Sequence, residues 1–260
     1  WAAEGRAGPA AAALGFGTAA KLFPLVLAPL LVLGLVPAPG WGWWRTLRRT
    51  VPPFVAGFAV TVVPALLLSV HGALNAVSYQ TARGVQIESL PANAIDLVHL
   101  ATGLPARSFL DFGAYHLASS LSAPVKTISV AVTALALAAA VALVGWCSWR
   151  RGGLRAQDWA PAFLIGVFAF MLPARVLSPQ YLVWIAALMA GLAGRRRARP
   201  ALLALVAAAA VTQVIYPFRY PQLIRFDPVD VGLLTVRNLL LVAIAAVVAW
   251  VFARSEPETP

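Results

Sequence analysis

With 61% hydrophobic and 11% charged residues over 260 positions, the chain holds more apolar side chains than a soluble fold of its size would bury; soluble domains run at roughly 45–50% apolar and about 25% charged. Its net charge of +11 comes from arginines set in short clusters between apolar runs, a membrane-topology pattern that argues against a nucleic-acid partner. Cys147 is the single cysteine and lies inside an apolar run, which excludes an intrachain disulfide.

A bilayer crossing takes about 20 mostly apolar residues at about 1.5 Å each. The first apolar run, 10–36, is long enough to cross once with tilt. Gly15, Gly17, Lys21 and Pro24 interrupt it, however, and the alternative is a broken or re-entrant helix. A crossing is predicted over 53–70. Residues 71–123 then form an extracytoplasmic loop region, whose weakly apolar part, 89–104, reads as a short helix lying on the outer surface. Further crossings are predicted over 125–149, 161–176, 181–193, 201–216 and 231–252, the third and fourth of these divided by the arginines between 195 and 199. None shows strand alternation, and a chain in lipid must satisfy its own backbone groups, so each is helical. The fold class is therefore an all-α, polytopic integral membrane protein with about seven transmembrane helices, a single membrane domain over 1–260 and an external loop containing a short helix.

Arginine and tryptophan set the predicted orientation. Arg45, Arg48, Arg49, Arg150, Arg151, Arg155, Arg254 and the four arginines between 195 and 199 fall on one side, which is cytoplasmic by the positive-inside rule. Trp41, Trp43, Trp44, Trp146, Trp149, Trp159 and Trp250 fall at the same interface, where amphipathic rings settle. On the other side, Arg83, Arg107, Arg175, Arg219 and Arg225 are nearly balanced by Glu88, Asp96, Asp111, Asp227 and Asp230.

Polar groups in or beside spans are costly, and each is a functional candidate. Lys21 reads either as a contact to a phosphate or other anion or as a lysine snorkelling to the interface. The outer loop holds His71, Asn75, Tyr79, Gln80, Arg83, Gln86 and Glu88. Arg83 offers a planar fork for carboxylate or phosphate, and Glu88 a general base or a hydroxyl acceptor. The bland alternative is a solvated loop with a helix start at Ser89. Ser178 reads as the N-cap of the next span with Pro179 at its first position; such a terminus, with Arg175 and Gln180 beside it, also suits an anion. Arg237, about two turns into the last span, should meet an acid or a lipid phosphate. His71, His99 and His116 match no zinc spacing, and there is no phosphate-cradling glycine loop, so neither a metal nor a cofactor is expected.

Three stretches resemble a known family. Tyr79 to Ala92 (YQTARGVQIESLPA) is similar to the external-loop motif of actinobacterial glycosyltransferase family 87. Leu177 to Trp184 (LSPQYLVW) is similar to its late-span motif, and Gly17 to Pro24 (GTAAKLFP) resembles its Lys-aromatic-Pro helix. The resemblance extends over the whole chain, as the C-terminal part of such an enzyme. It implies the GT-C fold and transfer of a mannose-type sugar from a polyprenyl-phosphate carrier to a lipid-linked or cell-envelope glycan at the outer face of the cell membrane. Carried over by position, Arg83, Gln86 and Glu88 would line the acceptor or sugar pocket. Lys21, Arg175 and Gln180 would face the carrier phosphate, with Ser178 and Tyr181 in the same motif.

The chain departs from that pattern at one point. The family's acidic base sits in a first outer loop near the N-terminus; Glu4 matches it poorly, and Glu88 is the substitute. Because the chain opens on Trp1, an upstream part carrying that loop is expected. The rival reading is a transporter or flippase for a lipid-linked sugar, which would share a broken helix and an internal cation.

Overall fold

The computed structural model describes residues 1–255, and the side chains of all of these except Val77, Gln80 and Thr81. The chain divides into two compact units, one formed by residues 1–81, 137–167 and 250–260, the other by 82–136 and 168–249.

In the first unit, α1 (Ala7–Ala20) stops at Lys21, whose backbone is extended at φ −160°, ψ 123°. A 3-10 turn over Phe23–Leu27 leads into α2 (Ala28–Leu35). The two helices run back along one another, with Ala7, Ala10 and Ala11 packing on Leu31 and Leu35. The run 10–36 is thus a helical hairpin with Lys21 at its tip, not a single crossing. Pro24 explains the break, because its ring lacks the N–H a continuing helix would use and lies against Gly17.

The long helix α3 (Trp43–Leu68) begins ten residues before the predicted Pro53 and carries Pro52, Pro53 and Pro64 inside it. Pro53 removes the donor for the Arg49 carbonyl, and that oxygen faces Gly8 of α1. Farther along, a methyl group on Gly15 would overlap the Phe54 carbonyl, and one on Gly57 would overlap the Ala12 carbonyl. Glycine is what lets α1 and α3 touch backbone to backbone. After Ser69, α4 (Val70–Ala82) continues the helical chain where a loop was expected.

Residues of α6 (Ser122–Arg151) close this unit: Gly145 meets Leu33, and Arg151 Nη2 donates to the Phe252 carbonyl at 2.6 Å. Trp159, at the start of α7 (Trp159–Met171), is 4% exposed and presses on Gly34. The tryptophan and arginine residues flanking these termini therefore gather at one end of the unit, as their spacing in the sequence implied.

The second unit is built on α5 (Leu90–Thr102), the remainder of α6 and α7, α8 (Tyr181–Met189), α9 (Arg199–Gln213), α10 (Tyr220–Leu223) and α11 (Pro228–Ala253). The expected surface helix is α5. Ser89 caps it by accepting from the Ala92 N–H at 3.2 Å, and Gly103 ends it at φ 73°. Ser178 does not cap α8: that helix starts at Tyr181, and the Tyr181 N–H reaches the Ser178 main-chain carbonyl instead of its hydroxyl. Helix α7 ends at Met171 rather than 176, because Pro173 cannot continue it. The helix after Arg196 breaks at Tyr216, which has φ −118° and ψ 119°, close to the predicted end.

An all-helical reading misses one feature. Strands β1 (Ala106–Asp111) and β2 (Ala114–Ser119) form an antiparallel hairpin in register Ala106 with Ser119 and Asp111 with Ala114. Its two-residue turn, Phe112-Gly113, has positive φ at both positions, as a hairpin of this length requires.

Four helices among the described residues are long and apolar enough to cross a bilayer: Trp43–Leu68, Ser122–Arg151, Arg196–Leu223 and Pro228–Ala253. Phe23–Leu35, Ala156–Met171 and Tyr181–Leu192 are apolar but shorter. The chain is a multi-pass helical membrane protein with a small two-stranded sheet.

Candidate functional site

The segment from Arg83 to Ser89 is the backbone of the site. Two hydrogen bonds bind it to β2, Ile87 N–H to Tyr115 O at 3.0 Å and Leu117 N–H to Val85 O at 2.9 Å. A third, from Gln86 N–H to Arg175 O at 2.8 Å, ties it to the loop before α8. Extended chain sends alternate side chains to opposite faces. Val85 and Ile87 enter a core with Ile95, Leu117, Ile215, Leu223 and Leu234. Gln86 and Glu88 fall together on the other face, and Gln86 Nε2 donates to Glu88 Oε2 at 3.3 Å.

Glu88 is 3% exposed. Burial raises its pKa to about 7, against the opposing pull of the Arg237 charge and the Gln86 hydrogen bond. Arg237, on α11, is 1% exposed and donates from Nη2 to the main-chain carbonyl of Glu88 at 2.7 Å. The sequence asked for an acid or a lipid phosphate at this arginine; the bond it makes goes to the main-chain carbonyl of Glu88, whose carboxyl group it also draws toward the charged form. Arg237 Nε and Nη1 and Gln86 Oε1 complete no hydrogen bond.

A polar ladder continues between α5 and α11. Asn93 Nδ2 donates to Thr235 Oγ1 at 3.0 Å, and Asn238 Nδ2 donates to Asn93 Oδ1 at 3.2 Å. One turn after Asn93, Asp96 is fully buried, with neither carboxyl oxygen hydrogen-bonded. Burial pushes its pKa to about 8, so it carries a proton at neutral pH.

On the other flank lies a cluster of cations. The charge of Arg83 depresses the pKa of Arg175 and of His116, in both cases behind the larger effect of burial. Arg83 Nε is buried without a partner. His116 is inaccessible to solvent, its ring close to Gly84, where a methyl group would stand 3.3 Å from Nδ1. The nearby backbone of Asp111 and Gly84 opposes the depression of its pKa, but burial is the larger effect and lowers it.

The second unit thus brings together Arg83, Gln86, Glu88, Arg175 and Arg237. Ser178 is half-buried, Gln180 is exposed, and Tyr181 is 8% exposed and stacked on Trp184 at 4.2 Å between ring centres. Lys21, His71 and Tyr79 belong to the first unit: Lys21 at the hairpin tip, His71 and Tyr79 exposed on α4. The Gln80 side chain lies outside the described residues.

Sequence reasoning passed over Asn93 and Thr235 and gave Asp96, His116 and Asn238 no part in a site. The spacing of Asn93 and Asp96, three apart on one helix, was a readable signal; the pairing with α11 was not. Among the described residues, no three His, Cys, Asp or Glu gather in a group that could hold a metal ion.

No family model, curated protein or solved structure matches this chain. What the chain does must be argued from its own residues.

Proposed function

We propose that this protein transfers a mannose-type sugar from a polyprenyl-phosphate carrier to a lipid-linked or cell-envelope glycan at the outer face of the cell membrane. The observation that carries this reading is a carboxyl group with a pKa near neutrality, Glu88, on the same short segment as Arg83 and bonded through that segment to Arg175. A general base works best with its pKa close to the working pH. Glu88 would take the proton of the acceptor hydroxyl as that oxygen attacks the anomeric carbon. The carrier phosphate would depart on the opposite side, its charge held by Arg83 and Arg175, with inversion at the sugar.

Glu88 is 3% exposed, so an acceptor reaches it only if the side chains around it move. Arg237 positions the carboxyl group through the backbone and has no contact with substrate in this scheme.

The test is sugar transfer in proteoliposomes supplied with polyprenyl-phosphate mannose and a glycan acceptor. Arg83→Ala and Glu88→Gln should each abolish transfer without loss of membrane insertion. Unchanged rates in both variants would refute the assignment. The hairpin of α1 and α2, broken at Lys21, favours a second reading as a flippase for a lipid-linked sugar. Movement of the intact carrier lipid between leaflets, with no new glycosidic bond, identifies that activity.

A further inference from the structure

We propose that the first unit binds one anionic phospholipid at the end where its tryptophans and arginines gather. A cleft of about 380 Å³ opens there, lined by Val36, Pro37, Gly42, Trp43 and Trp149. Its walls are aliphatic carbons and two indoles, and Trp43 and Trp149 are 55% and 71% exposed. Rings of this kind settle at the level of lipid headgroups and glycerol.

Arginines stand close in the chain to the two lining indoles. Arg45, Arg48 and Arg49 follow Trp43 on α3, and Arg150 follows Trp149 on α6. Arg45 and Arg49 lie over the Trp41 ring at 5.7 and 5.6 Å, Arg48 over Trp44 at 5.7 Å and Arg150 over Trp146 at 4.8 Å. Stacking holds a guanidinium by its plane and leaves N–H groups on its edge for phosphate oxygens. Arg45 also donates to the Gly40 carbonyl, which anchors the linker bordering the cleft.

The described acids of this unit pair with other arginines. Glu4 faces Arg6 at 3.7 Å, and Asp158 faces Arg155 at 3.3 Å. Among the described residues no carboxylate pairs with Arg45, Arg48, Arg49 or Arg150. An apolar cleft whose indoles are followed in the chain by guanidiniums with no carboxylate partner fits a diacyl lipid with a net negative headgroup: acyl carbons against Val36 and the indoles, phosphate at the arginines. A soluble phosphate would leave the apolar walls unused. This inference does not depend on the catalytic reading above.

The experiment uses the whole chain in phosphatidylcholine nanodiscs, with phosphatidylglycerol titrated in and retained lipid counted by native mass spectrometry. One phosphatidylglycerol should be retained in preference to phosphatidylcholine and should raise the thermal midpoint. The double variant Arg45→Gln with Arg150→Gln, and separately Trp149→Ala, should weaken retention about tenfold or more. Arg196→Gln with Arg197→Gln, exposed residues of the second unit, should leave it unchanged. Equal retention in the wild type and the Arg45/Arg150 variant overturns the proposal, as does equal retention of the two lipids. The same stabilisation by glycerol 3-phosphate overturns it too, because that result marks a free-phosphate site.

Discussion

The guanidinium of Arg237 reaches Glu88 through the backbone: Nη2 donates to the Glu88 carbonyl at 2.7 Å, with the arginine 1% exposed. One residue of the last long helix thereby sets where the carboxyl group of a distant segment sits. Replacing Arg237 with methionine keeps most of the bulk, removes that bond and leaves the carbonyl buried without a donor. The loss should be about 2 kcal/mol, read as a lower unfolding midpoint in detergent. It should also raise the Glu88 pKa further, since the Arg237 charge is the larger of the two effects that pull it down. An unchanged midpoint would show that the bond does not hold the segment.

Asp96 provides a test in pH. Its pKa rises from an ordinary 3.8 to about 8 in the folded chain, so between those values the folded state binds more protons than the unfolded one. The contribution is complete below about pH 4, declines as pH rises, and levels off above about pH 8. The slope is at most about 1.4 kcal/mol per pH unit. Asp96→Asn cannot ionise, so its melting temperature should fall less than that of the wild type between pH 5 and 8. Parallel pH profiles would sink the assignment.

Packing of the hairpin against α3 should be unforgiving at two glycines and lenient at a third. Gly15→Ala and Gly57→Ala drive a methyl group into the carbonyls of Phe54 and Ala12. Each should cost about 1–3 kcal/mol. Gly8→Ala meets nothing closer than 3.8 Å and should be neutral or slightly stabilising. Thermal unfolding of the three variants decides the matter; equal effects would mean that helix propensity, not close approach, governs them.

The Arg219–Asp230 pair spans the break after Tyr216 with bonds of 2.6 and 2.9 Å, and Asp230 is fully buried. Asp230→Asn keeps the shape and removes the charge. Arg219 is partly open to solvent, so the loss should be small, read as a slightly lower unfolding midpoint. Hydrogen exchange should rise locally over 216–224. Protection there equal to that of the wild type would show that the pair does not hold this turn.

Much of the architecture was legible in the chain itself. Apolar runs of about 20 residues are written residue by residue; the expected crossings over 125–149 and 231–252 lie on α6 and α11, and that over 201–216 runs along α9 to the break at Tyr216. Ser89 announced α5, because capping depends on neighbours three residues apart. The β1–β2 hairpin was hidden because two six-residue strands carry a short, weak alternation, and its turn uses Phe112 rather than the usual Asn or Asp. Both readings of the run 10–36 were open from its residues. Tertiary contact chose the hairpin, because Ala7, Ala10 and Ala11 find Leu31 and Leu35 only when the chain turns at Lys21.

The site divides the same way. Sequence alone determined that Arg237 needed an acid or a lipid phosphate, because an unpaired guanidinium in a span is too costly. It could not say that Arg237 meets the Glu88 carbonyl or that Asp96 lies wholly out of water. Those facts depend on Asn93 and Asn238 meeting 145 positions apart in the chain. Local pattern determines which segments leave water; only the folded packing of α5 against α11 decides which polar groups go with them and which partners they find there.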